Sequence, residues 1–146
     1  MNMTRSLELV VGTGNPGKQR EIQEILREPG IALANDGRLD MASVEETGAT
    51  FVENALLNAR YATKVSGLPA LADDSGIEVD ALRGAPGIYS ARYAGPGATD
   101  EANVDKLLAA LADVPESDRT ARFRCVMVVL RHEADPSPLI CEGLWE

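Results

Sequence analysis

The chain has 146 residues, 45% of them hydrophobic, which is enough for one domain with a sizeable core. Its 23 acidic residues outnumber 14 basic ones and give a formal charge of -9. This balance argues against a broad surface for nucleic acid or for an anionic membrane. Any bound phosphate must therefore be held by a few local cations and by a metal ion.

The cysteine pattern and the first apolar run predict a cytoplasmic protein. Cys125 and Cys141 have neither CxxC spacing nor a histidine at ligand spacing, so we expect reduced core thiols. The first apolar run, Leu7 to Val11, is far shorter than a membrane crossing requires, and no signal peptide is recognisable.

A strand, a glycine loop and a helix are predicted at the start of the chain. Leu7 to Val11 is rich in β-branched residues and predicts a buried strand. The loop Gly12 to Lys18 follows, and then apolar residues recur at helical spacing at Ile22, Ile25 and Leu26. This order directs loop amides and the positive end of a helix at an anion.

The loop matches two phosphate-binding templates in part. Gly12, Gly14 and Gly17 satisfy the dinucleotide fingerprint G-x-G-x-x-G, but Pro16 inside the turn opposes the close packing of helix on sheet that this fingerprint needs. A dinucleotide-dependent oxidoreductase is therefore the weakest of the functional hypotheses.

The second template is the P-loop, G-x-x-x-x-G-K-[ST]. Its glycines and Lys18 are present, but Gln19 stands where a hydroxyl should bind Mg²⁺. A triphosphate cradle built from Thr13, Asn15 and Lys18 needs only short donors and one cation, so it fits the same residues without this conflict.

A helix is predicted from about Phe51 to Val65. Thr50 and Glu53 form a capping box at its start. Its apolar stripe comprises Phe51, Ala55, Ala59 and Ala62, while Glu53, Asn54, Leu57 and Asn58 lie toward another side. Glu45 and Glu46 precede the helix, either as surface residues or in a loop that folds over an acidic site.

The most suggestive stretch is Asp73-Asp74-Ser75-Gly76, which follows the apolar run Leu68 to Ala72. An apolar run of this length predicts a buried strand, and α/β proteins place their chemistry just past strand ends. Adjacent aspartates partly out of water need a cation, a hydrogen-bond donor or a proton to compensate them, and the functional interpretation is a bound divalent metal, Mg²⁺. The alternative is a solvated turn, because these residues are also common in turns.

Arg92 follows the turn at Gly84 to Gly87 and lies close in sequence to the acidic stretch. It is predicted either to bind a phosphate oxygen or to pair with Asp73 or Asp80. Thr99 then caps a helix whose buried face is predicted to be Val104, Leu107, Leu108 and Leu111. The end of the chain predicts a hairpin of Arg122 to Leu130 with a strand after Leu139, and His132 is predicted to be a surface residue.

Taken together, four motifs resemble the inosine triphosphatase family, and more narrowly its bacterial dITP/XTP pyrophosphatases. The motifs occur in the family's order, and the resemblance runs from the first strand to Trp145. The motifs are Thr13 to Lys18 with Glu21, Glu45 to Ala55, Leu71 to Gly76, and Gly84 to Gly95.

The resemblance implies an α/β fold with an elongated mixed sheet, flanking helices and a cleft between two lobes, in one domain over residues 1–146. It implies Mg²⁺-dependent hydrolysis of dITP, ITP and XTP to the monophosphate and pyrophosphate by a homodimer. The charge, the cysteines and the lack of a long apolar run predict a cytoplasmic protein that binds neither nucleic acid nor membrane. By resemblance, the substrate contacts are Thr13, Gly14, Asn15, Pro16, Gly17, Lys18 and Ser75; Asp74 is the general base; and Asp74 with Glu46 or Glu45 holds the metal.

Two departures from the family affect this prediction. Asn58 stands where the family usually has a lysine near the phosphates. The family also continues into a glycine-rich loop, a Phe-Gly-Tyr-Asp segment and a Ser-His-Arg segment that read the purine, and this sequence contains none of them. We therefore expect a chain without the family's C-terminal segment, acting either as a pyrophosphatase impaired by that difference or as a catalytically weak nucleotide-binding module.

Overall fold

The structure is a computed structural model that describes residues 7–146. The strands are β1 (Glu8–Gly12), β2 (Ala32–Ala34), β3 (Ala70–Val79), β4 (Ala121–Leu130) and β5 (Leu139–Trp145). The helices are α1 (Pro16–Arg27), α2 (Phe51–Ser66) and α3 (Asp100–Ala110), and short 3-10 turns occur at Met41–Ser43, Asp80–Leu82, Gly87–Arg92 and Glu116–Asp118. No helix in this part of the chain is both long enough and apolar enough to cross a membrane.

Within residues 7–146 the strands form a single mixed sheet in the order β2-β1-β3-β4-β5. β1 runs parallel to both β2 and β3, whereas β3, β4 and β5 are successively antiparallel. The predicted α/β class, with a mixed sheet and flanking helices, is confirmed, and so is the predicted hairpin of β4 with β5.

Two helices cover opposite faces of the sheet near its centre. On one face, the predicted apolar stripe of α2 is buried, with Ala55 and Ala59 against Ala72 and Val128. On the other face, Ile22 of α1 packs against Leu9, Val11 and Leu71. Side chains alternate between faces along a strand, so successive residues of β3 point toward different helices.

The acidic stretch is neither a turn nor the segment after a strand, so both of those predictions are wrong. β3 continues through Asp73-Asp74-Ser75-Gly76 to Val79, because β4 pairs with it over its whole length, from Ala70 opposite Leu130 to Val79 opposite Ala121. Cross-strand pairing thus overrides the local preference of these residues for a turn.

Several predicted burials are also wrong. On α3, Val104 and Leu108 are more than half exposed, and only Leu111 of the predicted face is buried. Cys125 and Cys141 are free thiols, but Cys141 is exposed on β5. β5 is exposed along its whole length, so the apolar residues of this strand are not part of the core.

Candidate active site

A cavity of about 290 Å³ opens where β1 and β3 meet the start of α1 and the side of α2. It brings together residues that are far apart in sequence. The lining residues are Gly12, Thr13, Gly14, Asn15, Lys18, Met41, Ala42, Glu46, Asn58, Asp73, Asp74, Ser75 and Ala91.

The wall formed by β1 is tightly packed at Gly12. A Cβ on Gly12 would lie 3.2 Å from both the Ala72 Cβ and the Asn58 carbonyl oxygen. β1 therefore ends tightly packed between β3 and α2, and the following loop leaves the sheet beside the acidic residues of β3.

The loop caps its own helix. Asn15 Oδ1 accepts hydrogen bonds from the Gly17 amide at 2.9 Å and from the Lys18 amide at 3.3 Å, and Thr13 Oγ1 accepts from the Asn15 amide at 3.2 Å. Pro16 occupies the first turn of α1, where a missing amide hydrogen costs nothing. Two of the amides predicted to face an anion are thus already bound by Asn15.

Lys18 extends from α1 onto the face of β3 that carries Asp73 and Ser75. Its Nζ donates to Asp73 Oδ2 and to Ser75 Oγ, both at 2.8 Å. The Asp73 side chain is only 4% exposed, so Lys18 is the cation that compensates its charge. The predicted pairing of Arg92 with Asp73 or Asp80 is wrong, since Asp80 pairs with Arg122.

Asp74 points toward the opposite face, where it lies under α2 and near Glu46. It is 8% exposed; its Oδ1 accepts from the Ser75 amide at 3.0 Å, and its Oδ2 is buried with no partner among the described residues. Burial, reinforced by the charge of Glu46, raises the Asp74 pKa to about 7, against the opposing effects of the Asn54 amide, the Ser75 amide and Lys18.

The loop before α2 places the two candidate glutamates differently. Glu46 lines the cavity, whereas Glu45 is exposed and lies outside the lining. Arg92 donates to the Glu46 carbonyl oxygen at 3.5 Å while its guanidinium lies 5.1 Å from the centre of the Tyr89 ring. This contact holds the backbone of the Glu46 loop and not its carboxylate.

The prediction that Asn54 and Asn58 lie toward another side of α2, away from its buried stripe, is wrong, and Asn58 lines the cavity. Both are buried, Asn54 completely, and Asn58 Nδ2 donates to the Asp73 carbonyl oxygen at 3.4 Å. They follow Phe51 by three and seven positions, so the helical period places both beside the apolar stripe. Two asparagines on a buried helix face were the signal that could have found them.

The cavity fits a divalent cation only when phosphate oxygens contribute. No cluster of three or more histidine, cysteine, aspartate or glutamate residues capable of holding a metal occurs within residues 7–146. Mg²⁺, however, commonly binds through one or two carboxylates together with substrate phosphates and water. Glu46 and the unpartnered Asp74 Oδ2 supply such a pair of hard oxygen donors.

The cavity can therefore hold an anion at the end formed by the glycine loop, with carboxylates facing that anion from the opposite end. Lys18 supplies positive charge beside the glycine loop, and Asp74 supplies an oxygen with no other partner. Such a layout suits the displacement of one phosphate group from another by water.

Known proteins are similar in sequence to this chain over most of its length. The model of the Ham1 family matches residues 9–146. The dITP/XTP pyrophosphatase of Vibrio parahaemolyticus serotype O3:K6 is 55% identical over 139 residues, which are 95% of this chain and 70% of that protein. The dITP/XTP pyrophosphatase of Escherichia coli O157:H7 is 56% identical over 138 residues, or 94% of this chain and 70% of that protein.

Solved structures show the same similarity. The HAM1 protein from Coxiella burnetii superposes with a TM-score of 0.82 at 47% identity, covering 95% of this chain and 71% of that chain. The Ham1 protein of Staphylococcus aureus gives a TM-score of 0.77 at 41% identity, covering 94% of this chain and 69% of that chain.

Proposed function

Because this chain belongs to the Ham1 family, we propose that it hydrolyses non-standard purine nucleoside triphosphates, such as dITP, ITP and XTP, to the monophosphate and pyrophosphate. The observation that carries the proposal is the shared cavity, in which the Lys18 loop lies opposite Asp74 and Glu46. The names of the similar proteins support the reaction and its substrate class.

The triphosphate tail would bind at the loop end of the cavity. Lys18 would donate to phosphate oxygens, and Ser75, which already contacts Lys18 Nζ, would share in that contact. Thr13 and Gly14 line the same wall, whereas Asn15 would act mainly by shaping the loop. Pro16 and Gly17 lie outside the lining and would contribute the start of α1, not direct contacts.

The reaction would take place at the acidic end. Asp74 Oδ2 has no other partner, so it can accept the proton of a water molecule aimed at the α-phosphorus. Burial and the charge of Glu46 raise the Asp74 pKa to about 7 when no cation is bound, and a cation beside the carboxylate would lower that pKa and favour the ionised base. Positioned proton transfer of this kind contributes about 10²–10⁴ in rate.

Asp74 and Glu46 would also hold Mg²⁺ together with the phosphates, and Glu45 is the less favoured ligand because it lies outside the cavity lining. When bound, Mg²⁺ neutralises charge on the phosphate oxygens and makes the pyrophosphate a better leaving group. Compensation of this kind matters here because Lys18 is the one cationic side chain among the residues lining the cavity.

The protein's location and its partners are proposed on weaker grounds than its reaction. We expect one catalytic domain over residues 1–146, a cytoplasmic location and a homodimer that binds neither nucleic acid nor membrane. The acidic composition supports the absence of a nucleic-acid surface. Arg92 as a phosphate contact stays a prediction.

The alternative, a nucleotide-binding module with little catalysis, is less favoured, because the similar proteins carry enzyme names and the cavity retains both acidic and basic ends. The motivation for it is Asn58, which supplies an amide and no charge beside Asp73. Binding of ITP without turnover would support this alternative.

The deciding experiment measures pyrophosphate released from dITP with Mg²⁺ by the wild-type chain and by Asp74→Asn, with dATP as the comparison substrate. We expect release from dITP that falls by about 10²–10⁴ in the variant. Equal rates for the two proteins would remove the catalytic role of Asp74, and an absence of release by both would refute the proposed activity.

A further inference from the structure

Two polar atoms are buried without a hydrogen-bond partner among the described side chains, and they belong to neighbouring residues in space. One is Asn54 Nδ2 on α2, and the other is Asp74 Oδ2 on β3. The Asn54 amide faces the Asp74 carboxylate closely enough to lower its pKa, although the two atoms do not reach hydrogen-bond geometry. An unpartnered donor and an unpartnered acceptor thus face each other at the edge of the cavity.

The orientation of the Asn54 amide is fixed from its other end. Asn54 Oδ1 accepts from the Gly48 amide at 2.8 Å, so Nδ2 is the end left to face β3. The backbone of Gly48 lies close to the start of α2. A Cβ at this position would lie only 2.7 Å from Asn54 Oδ1 and 2.6 Å from the Glu53 Cβ. Asn54 is also completely buried, so solvent does not compete for either end of its amide.

The same side chain therefore joins two parts of the acidic site. Gly48 lies two residues after Glu46 in the loop before α2, and Asp74 lies in the middle of β3. We propose that Asn54 is a positioning residue that fixes the direction of Asp74 Oδ2 and holds the Glu46 loop at a set distance from it. This inference rests on the proposed function, since it assigns Asn54 a part in the same reaction.

The chemistry of the carboxylate explains why a donor is needed at this position. Asp74 Oδ1 is bound by the Ser75 amide, so rotation of the carboxylate is controlled by what its other oxygen meets. A donor on the α2 side restrains Oδ2 while leaving its second lone pair free for water or a cation. Hydrogen bonds of this kind are often long in the empty enzyme and tighten when substrate binds.

The experiment compares Asn54→Ala with Thr63→Ala, another buried polar residue on α2 whose Oγ1 donates only to the Arg60 carbonyl oxygen. With dITP and Mg²⁺ we expect Asn54→Ala to lower kcat by about 10–100-fold, while KM changes by less than about threefold. Thr63→Ala should leave both constants near the wild-type values. A kcat for Asn54→Ala within about threefold of wild type would overturn the inference.

A second variant and a second measurement separate positioning from folding. Asn54→Asp keeps the oxygen that accepts from Gly48 and replaces the donor that faces Asp74. We therefore expect its kcat to be as low as that of Asn54→Ala. A wild-type kcat in this variant would overturn the inference. We also expect Mg²⁺ alone to raise the unfolding temperature of the wild type more than that of Asn54→Ala, and equal rises would count against positioning.

If the wild type released no pyrophosphate from dITP, the proposed function would fail. The Mg²⁺-dependent unfolding temperatures would still decide the role of Asn54.

Discussion

Lys18 Nζ donates to Asp73 Oδ2 at 2.8 Å and so joins the first turn of α1 to the middle of β3. The lysine therefore has two possible tasks, because it compensates a buried carboxylate and also presents positive charge to the cavity. An incoming phosphate would compete with Asp73 for the same ammonium hydrogens.

Replacing Lys18 with methionine should separate these tasks. Lys18→Met leaves the Asp73 carboxylate buried without a cation, and we expect the free energy of unfolding in urea to fall by about 1–3 kcal/mol. Adding Asp73→Asn should restore most of that stability without restoring turnover of dITP. Recovery of turnover in the double variant would mean that Lys18 has only a structural role.

Two variants of Asn15 separate its capping of α1 from the effect of charge at the same position. Asn15→Ala removes the cap from the Gly17 and Lys18 amides and should cost about 1 kcal/mol of stability. Asn15→Asp keeps an accepting oxygen at the positive end of α1 and should keep the stability. Its new charge should repel the triphosphate and raise KM for dITP by about tenfold. An unchanged KM would place the triphosphate away from this loop.

Gly76 should tolerate no side chain, because β3 lies directly against the turn that follows it. A Cβ there would lie against the Gly87 carbonyl oxygen and 2.6 Å from Ser90 Oγ. We expect Gly76→Ala to lower the free energy of unfolding by about 1–3 kcal/mol. The matched control is Gly143→Ala on β5, where a Cβ meets nothing within 4 Å and stability should hold. Equal stabilities of the two variants would contradict the packing described for β3.

The Asp74 carboxylate should make stability depend on pH in a defined direction. The folded protein keeps the Asp74 proton up to a pKa of about 7, whereas the unfolded chain releases it near the ordinary value of 3.8. The folded state holds more protons between these values, so the contribution of Asp74 to stability is lost as pH rises from about 4 to 7.

Asp74→Asn removes this penalty. Without Mg²⁺, we expect the variant to match the wild type near pH 4 and to exceed its free energy of unfolding by about 1–3 kcal/mol at pH 8. Asp113→Asn, at an exposed loop position, makes the same change in charge and should show no such trend. A constant difference between Asp74→Asn and wild type across this pH range would show that burial does not raise the Asp74 pKa.

The sequence was informative wherever local pattern and tertiary packing agree. The capping box of Thr50 with Glu53 and the apolar stripe of α2 were predicted and are present, because each depends on residues within a few turns of one helix. The pairing of β4 with β5 was predicted for a similar reason, since a short connection joins two apolar runs.

The sequence misled where distant partners decide the outcome. Asp73 to Gly76 have the composition of a turn, but β4 lies more than forty residues away and pairs with all of them. The same pairing turns Asp73 and Asp74 to opposite faces, so the first meets Lys18 and the second meets Glu46 and Asn54. On α3, a regular apolar pattern predicted a buried face at positions where the described structure leaves Val104 and Leu108 exposed.

The central claim is that water attacks the α-phosphorus of a purine nucleoside triphosphate held between the Lys18 loop and Asp74. Its most direct test is hydrolysis of dITP in water enriched in oxygen-18, followed by mass spectrometry of both products. We expect the label in the deoxyinosine monophosphate and none in the pyrophosphate. Label in the pyrophosphate would mean attack at the β-phosphorus and would contradict this account of the site.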